Sequence, residues 1–171
     1  MKIILLGYMG SGKSTIGKAL ANELKLSFID LDHAIENEIG MSIRDFFDTS
    51  GELKFRRLEN EVLKKLLDEN SDMILSTGGG TPCYGNNLEL LKSASNAKVF
   101  YLKGSIKTLT ERLLSEKDTR PLIQSIDEKD LPEFIGKHLF ERSNFYLQAH
   151  HVVEIDQKSV EMIVEEIIEL L

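Results

Sequence analysis

Residues 5–15 read LLGYMGSGKST, three glycines around one lysine, directly after an apolar run. Within it, Gly7, Gly12, Lys13 and Ser14 satisfy the pattern G-x-x-x-x-G-K-[ST], which requires a strand before it and a helix after it. Both flanks are written here. Lys2 to Leu6 is a short apolar run, and residues 14–25 place Ile16, Ala19, Leu20 and Leu24 at helical spacing. A chance match in a chain of this length is expected roughly once in a hundred, from ordinary Gly, Lys and Ser/Thr frequencies. The blander alternative is a Gly-rich turn that merely caps a helix, and an ordinary turn does not need so much backbone freedom beside a single charge. A phosphate does. Backbone N–H groups that converge on phosphate oxygens adopt conformations that a Cβ obstructs. The helix N-terminus adds partial positive charge, Lys13 adds a full charge, and the Ser14 hydroxyl can coordinate Mg²⁺. The stretch reads as a nucleoside triphosphate site.

Outward from this loop, strand and helix patterns alternate. SFID is a second strand ending at Asp30, and LDHAIENEIG is a helix closed by Gly40. SIRD opens the next helix with a capping box between Ser42 and Asp45, and residues 52–69 form a longer amphipathic helix. DMILST is a third strand, followed by Gly78, Gly79 and Gly80; residues 86–94 are helical, AKVFYL is a fourth strand and residues 105–114 are helical again. SEKDTRPLIQS shows no sustained period, and a loop of that length suggests a lid. Asp130, Pro132 and Glu133 start a helix towards Phe145, HVVEI is a fifth strand, and residues 159–171 form a terminal helix. Such alternation predicts one three-layer α/β domain over residues 1–171, with a parallel sheet covered on both faces. Ligands bind such sheets beyond the carboxyl ends of the strands. The loops after residues 6, 30, 76 and 102 should therefore share one crevice.

Composition narrows the classes. The chain has 171 residues and a net charge of -7, with no Lys/Arg block of the kind a nucleic-acid binder displays. One cysteine, Cys83, excludes an internal disulfide and fits a reducing compartment. No apolar run is long enough to span a membrane, and no signal segment precedes the first strand, so a cytoplasmic protein is expected.

The phosphate loop does not name the second substrate. A GTPase would carry N-K-x-D, which is absent, and the third strand ends in Ser76 and Thr77 where a metal-binding Asp is common. The acids come instead from FIDLD. If the backbone stays extended, Asp30 and Asp32 point to the same side, one for metal and one to take a proton from a hydroxyl. The alternative for Asp32 is a simple helix cap. In KFRRLE, Arg56 and Arg57 point about 100° apart on a helix, so one can enter the crevice as a fork for a carboxylate or phosphate. The Gly78–Gly80 run permits close backbone approach to a ligand, Arg120 sits on the expected lid, and Arg142 lies on the helix after it. By pattern alone, Arg56, Arg57 and Arg142 could equally be solvated surface residues. Residue chemistry stops at a kinase of a small anionic polyol, with a non-catalytic ATP-binding switch as the rival from another class.

GYMGSGKST, FIDLD, FRRLE, STGGG, TRPL and RSNFY occur in this order over nearly the whole chain. In that set the chain resembles the shikimate kinases, small members of the nucleoside monophosphate kinase-like P-loop group. The resemblance implies a five-stranded parallel sheet of order 2-3-1-4-5, a substrate region near residues 31–60 and a lid near 112–124. It implies transfer of the γ-phosphate of ATP to the 3-hydroxyl of shikimate, on the route to chorismate and the aromatic amino acids, by a monomer using Mg²⁺ and binding neither nucleic acid nor membrane. Residue by residue, it gives the ATP phosphates to Gly10, Ser11, Gly12, Lys13, Ser14 and Thr15, with Arg120 reaching ATP from the lid. It gives the metal to Ser14 and Asp30. Shikimate falls to Asp32, Arg56, Gly79 and Arg142, and catalysis to Lys13, Asp32 and Arg120. Two positions depart from the family. Asn144 stands where many members have proline, and residues 156–159 read DQKS where members often place an arginine near adenine.

Overall fold

The computed structural model describes residues 1–117 and 120–171. Five strands, β1 (Lys2–Leu6), β2 (Ser27–Asp30), β3 (Met73–Ser76), β4 (Ala97–Lys103) and β5 (His151–Glu154), form one parallel sheet in the order β2-β3-β1-β4-β5. The predicted order is the observed one. All residues of β1 and β3 are buried, while the edge strands β2 and β5 are not. This is what a centre covered by helices on both faces requires.

Side chains alternate between the faces. Ile3 and Leu5 pack with Ile16 and Leu20 of α1 (Lys13–Leu24) and with Ile163 and Ile167 of α9 (Val160–Glu169). Ile4 and Leu6 face the larger layer. It is built from α2 (Leu31–Ile39), α3 (Ile43–Ser50), α4 (Glu52–Asp68), α5 (Asn87–Ser93), α6 (Ile106–Ser115) and α8 (Leu131–Tyr146). Leu31, Ile35, Phe55, Leu63, Leu91, Leu113, Ile135 and Tyr146 are among its fully or nearly fully buried members.

Three local expectations change. The backbone does not stay extended through FIDLD: Leu31 begins α2, and Asp30 is the N-cap, its carboxylate accepting from the Asp32 N–H. The capping residue is thus the first acid, and Asp32 lies in the first helical turn. In SIRD, Ser42 accepts from the Asp45 N–H as expected, but the Asp45 carboxylate accepts a hydrogen bond from the Ser42 hydroxyl instead of reaching a backbone donor. The segment expected to be loop carries helix at both ends: α6 runs to Ser115, and α7 (Pro121–Gln124) is a single turn. Proline is tolerated there because the first turn of a helix has no partner for its N–H. Asp118 and Thr119, also within the expected lid, lie outside the described residues. Asn144, which unlike proline keeps its N–H, sits inside an α8 that continues to Tyr146.

Candidate active site

The phosphate loop turns between β1 and α1 with Gly10 and Gly12 at φ 77° and 86°, a region that favours glycine. Lys13 folds back across it, its ammonium donating to the carbonyls of Gly7 at 2.8 Å and Tyr8 at 3.0 Å. A cavity of about 420 Å³ opens over the loop. Gly10, Gly12, Lys13, Ser14 and Thr15 line one side of it, Asp30 and Asp32 another, and Gly79 and Arg120 also border it. Ser11 does not: its side chain is fully buried, and its N–H is taken by the Tyr8 carbonyl.

Ser14 and Asp30 meet directly, the hydroxyl donating to the carboxylate at 2.9 Å. Burial pushes the Lys13 ammonium down to about 8, against the pull of Asp32 and Asp30. Asp32 is pushed up to about 6, chiefly by loss of solvent in the cleft and then by the like charges of Asp30 and Glu59. A carboxylate that titrates there can release its proton at neutral pH and still be basic enough to accept one.

Arg56 and Arg142 do not line this cavity. Each stands against the glycine turn instead. A Cβ built on Gly80 would come within 3.0 Å of Arg56 Nη2, and one on Gly79 within 3.7 Å of Arg142 Nη1. Arg56 borders a second cavity of about 630 Å³ with Asn60 and Tyr84. Its guanidinium donates to Glu59 at 2.9 Å and lies 3.7 Å from the centre of the Tyr84 ring, whereas Arg57 is exposed. Arg120 caps α7 and pairs with Glu116 at 2.7 Å, one helical turn back.

Sequence reasoning missed several members of this site. Glu59 is 1% exposed and joins Arg56 to the Thr81 hydroxyl, which donates to it at 2.8 Å. The three-residue spacing from Arg56 was a readable sign of a helical ion pair, but not of its burial. Tyr146 donates its hydroxyl to the Gly79 carbonyl, which orients the turn from α8. Arg112 lines the cavity and reaches the Gly10 carbonyl at 3.4 Å, a contact that exists only because α6 crosses the loop. Within residues 156–159 it is Lys158 that borders the cavity, pairing with Glu166.

A model of the shikimate kinase family matches residues 9–171. The chain belongs to the shikimate kinase family. A shikimate kinase of Flavobacterium johnsoniae is 46% identical over 170 residues, 99% of this chain and 98% of the relative. One from Sulfurihydrogenibium is 41% identical over 97% of this chain and 95% of the relative. Among solved structures, the shikimate kinase of Bacteroides thetaiotaomicron matches with a TM-score of 0.91 and 35% identity, over 99% of this chain and 97% of that one. The Acinetobacter baumannii shikimate kinase, solved in complex with shikimate, matches with a TM-score of 0.87 and 33% identity over 99% and 91%. The likeness to shikimate kinases thus covers the phosphate loop, the glycine turn and both arginine-bearing helices together.

Proposed function

We propose that this chain transfers the γ-phosphoryl group of ATP to the 3-hydroxyl of shikimate, giving shikimate 3-phosphate and ADP for chorismate and aromatic amino acid synthesis. The observation that carries the reading is that Lys13 of the phosphate loop and the Asp32 carboxylate line one cavity at the carboxyl end of the sheet. Shikimate is a cyclic triol with one carboxylate. Asp32 suits its hydroxyls, and Arg56 beside Gly80 and Arg142 beside Gly79 suit its carboxylate. The Gly79 backbone would contact the same substrate.

Gly10, Gly12, Ser14 and Thr15 would hold the nucleotide phosphates, with the Ser11 backbone shaping the loop. Ser14 and Asp30 fit Mg²⁺, since a hydroxyl and a carboxylate 2.9 Å apart are the hard oxygen donors that ion takes. Among the described residues no cluster of three or more acidic, His or Cys side chains could hold a metal alone. Magnesium keeps water and phosphate oxygens in its shell, so the protein need supply only part of it. When bound, the ion neutralises charge on the transferring phosphoryl group. Asp32 orients the acceptor hydroxyl and takes its proton, while Lys13 and Arg120 stabilise charge on the phosphoryl oxygens. On this reading the protein acts on two small-molecule substrates as the monomer the family resemblance implies, and its single cysteine fits the cytoplasm.

A coupled assay of ADP release tests this. Turnover should require ATP, Mg²⁺ and shikimate together. ADP release that shikimate does not stimulate, or that gluconate stimulates equally, would overturn the assignment.

A further inference from the structure

Tyr8 has no assigned part in the reaction, yet its backbone and its buried ring together touch both halves of the site. Its backbone carbonyl accepts from Lys13 at 3.0 Å, on the phosphate side. Its ring lies 5.7 Å from the Arg142 guanidinium carbon, within cation–π range. Its side chain is 1% exposed, so the phenol hydroxyl needs a protein partner. That partner is His138 Nδ1, at 2.9 Å.

His138 and Arg142 are four residues apart on α8 and so project from one face of the helix. The imidazole packs 4.2 Å from the Phe134 ring, which limits its rotation. Burial and the Arg142 charge hold its pKa below the ordinary value, and burial pushes the Tyr8 phenol up to about 12. Both groups are therefore neutral in the physiological range, and a neutral phenol and a neutral imidazole can share one proton in a hydrogen bond. Arg142 then sits over a ring whose far end is fastened to its own helix. The hydroxyl of Tyr146, next to Gly79, also interacts with Arg142.

We propose that His138, acting through Tyr8, is a positioning residue for Arg142: the pair ties α8 to the phosphate loop and holds the guanidinium beside Gly79. The inference rests on the reading of Arg142 as a ligand of the acceptor carboxylate. It adds that the position depends on a hydrogen bond between two residues that line neither cavity. The same tie joins the acceptor arginine to the loop that carries Lys13.

The test uses Tyr8→Phe, which removes one oxygen and keeps the ring, together with His138→Leu and the double variant. Steady-state constants are measured for shikimate and ATP, with thermal unfolding as a check on folding. Each single variant should raise the shikimate KM about threefold to tenfold, the loss of one buried hydrogen bond, while the ATP KM moves by less than about twofold. The double variant should be no worse than either single one, because both remove the same bond. His138→Asn, whose side-chain amide lies near the place of Nδ1, should recover most of the loss. An acceptor analogue with a hydroxymethyl group in place of the carboxylate should bind wild type and Tyr8→Phe equally.

If His138→Leu does not fold, Tyr8→Phe with the two acceptors carries the test alone. Unchanged shikimate KM in Tyr8→Phe, or an equal loss for both acceptors, overturns the positioning role and leaves the kinase assignment standing. Unchanged shikimate binding in Arg142→Met overturns the acceptor role of Arg142 and this inference with it.

Discussion

Asp32 ionises late because the cleft strips it of solvent and because Asp30 and Glu59 repel its charge. Its pKa is raised from 3.8 to about 6, so below that value the proton stays on and the base is blocked. With rising pH the carboxylate forms, so kcat/KM for shikimate should climb through about 6 and then level. Asp32→Asn should abolish that limb and most of the turnover while ATP binding, measured by calorimetry, survives. Turnover within a few-fold of wild type would mean that Asp32 only positions the acceptor, as a loose phosphoryl-transfer transition state allows. At this scale the sequence was most legible where chemistry is local. Lys13, Ser14 and Asp32 were readable because a motif or a short spacing places them. Glu59 and Thr81 were not, since their hydrogen bond joins residues 22 positions apart.

Among elements, α1 shows why a glycine stands inside a helix. A Cβ on Gly17 would come within 2.4 Å of Phe28 Cε2 on β2, so its absence lets α1 lie close against that strand. The same approach brings Ser14, one turn earlier, to 2.9 Å from Asp30 at the end of β2. Alanine gains about 1 kcal/mol of helix propensity over glycine, but forcing a methyl into a filled space costs about 1–3 kcal/mol. Gly17→Ala should therefore lower the unfolding temperature by a few degrees and reduce Mg²⁺-dependent turnover, as α1 is pushed off β2. A higher unfolding temperature with normal turnover would show that Phe28 yields freely. Element types were readable from periodicity, but their ends were not. Leu31 follows a strand directly and still opens a helix, because Asp30 caps it.

Over the whole molecule, Arg120 has to act at a site that lies between separate elements. It borders the nucleotide cavity while its side chain is paired with Glu116. We expect the region near residues 112–124 to close over bound ATP and shikimate and carry Arg120 from that pair to the transferring phosphoryl group. A fixed charge in a dry site stabilises the transition state more than the ground state. Arg120→Ala should thus lower turnover more than it weakens shikimate binding, by no more than roughly the 10³- to 10⁵-fold effect of an arginine finger, since Lys13 remains. Hydrogen exchange across this region should slow only when both ligands are present. Equal protection with and without ligands, together with near-normal turnover in the variant, would sink the closing movement.

The sequence alone determined the class of fold, the sheet order through the family it resembles, and the phosphate loop. These follow from local pattern: alternating apolar runs, a Gly-rich turn and a lysine at set spacing. The order of elements then left the acids and the glycine turn at the carboxyl ends of neighbouring strands. Only the tertiary structure decided that Glu59 is buried between Arg56 and Thr81, that Lys158 and Arg112 border the nucleotide cavity, and that Tyr8 meets His138. Tyr8 and His138 are 130 residues apart in sequence. Their contact arises because α8 packs across the loop after β1, and no spacing within either segment encodes it.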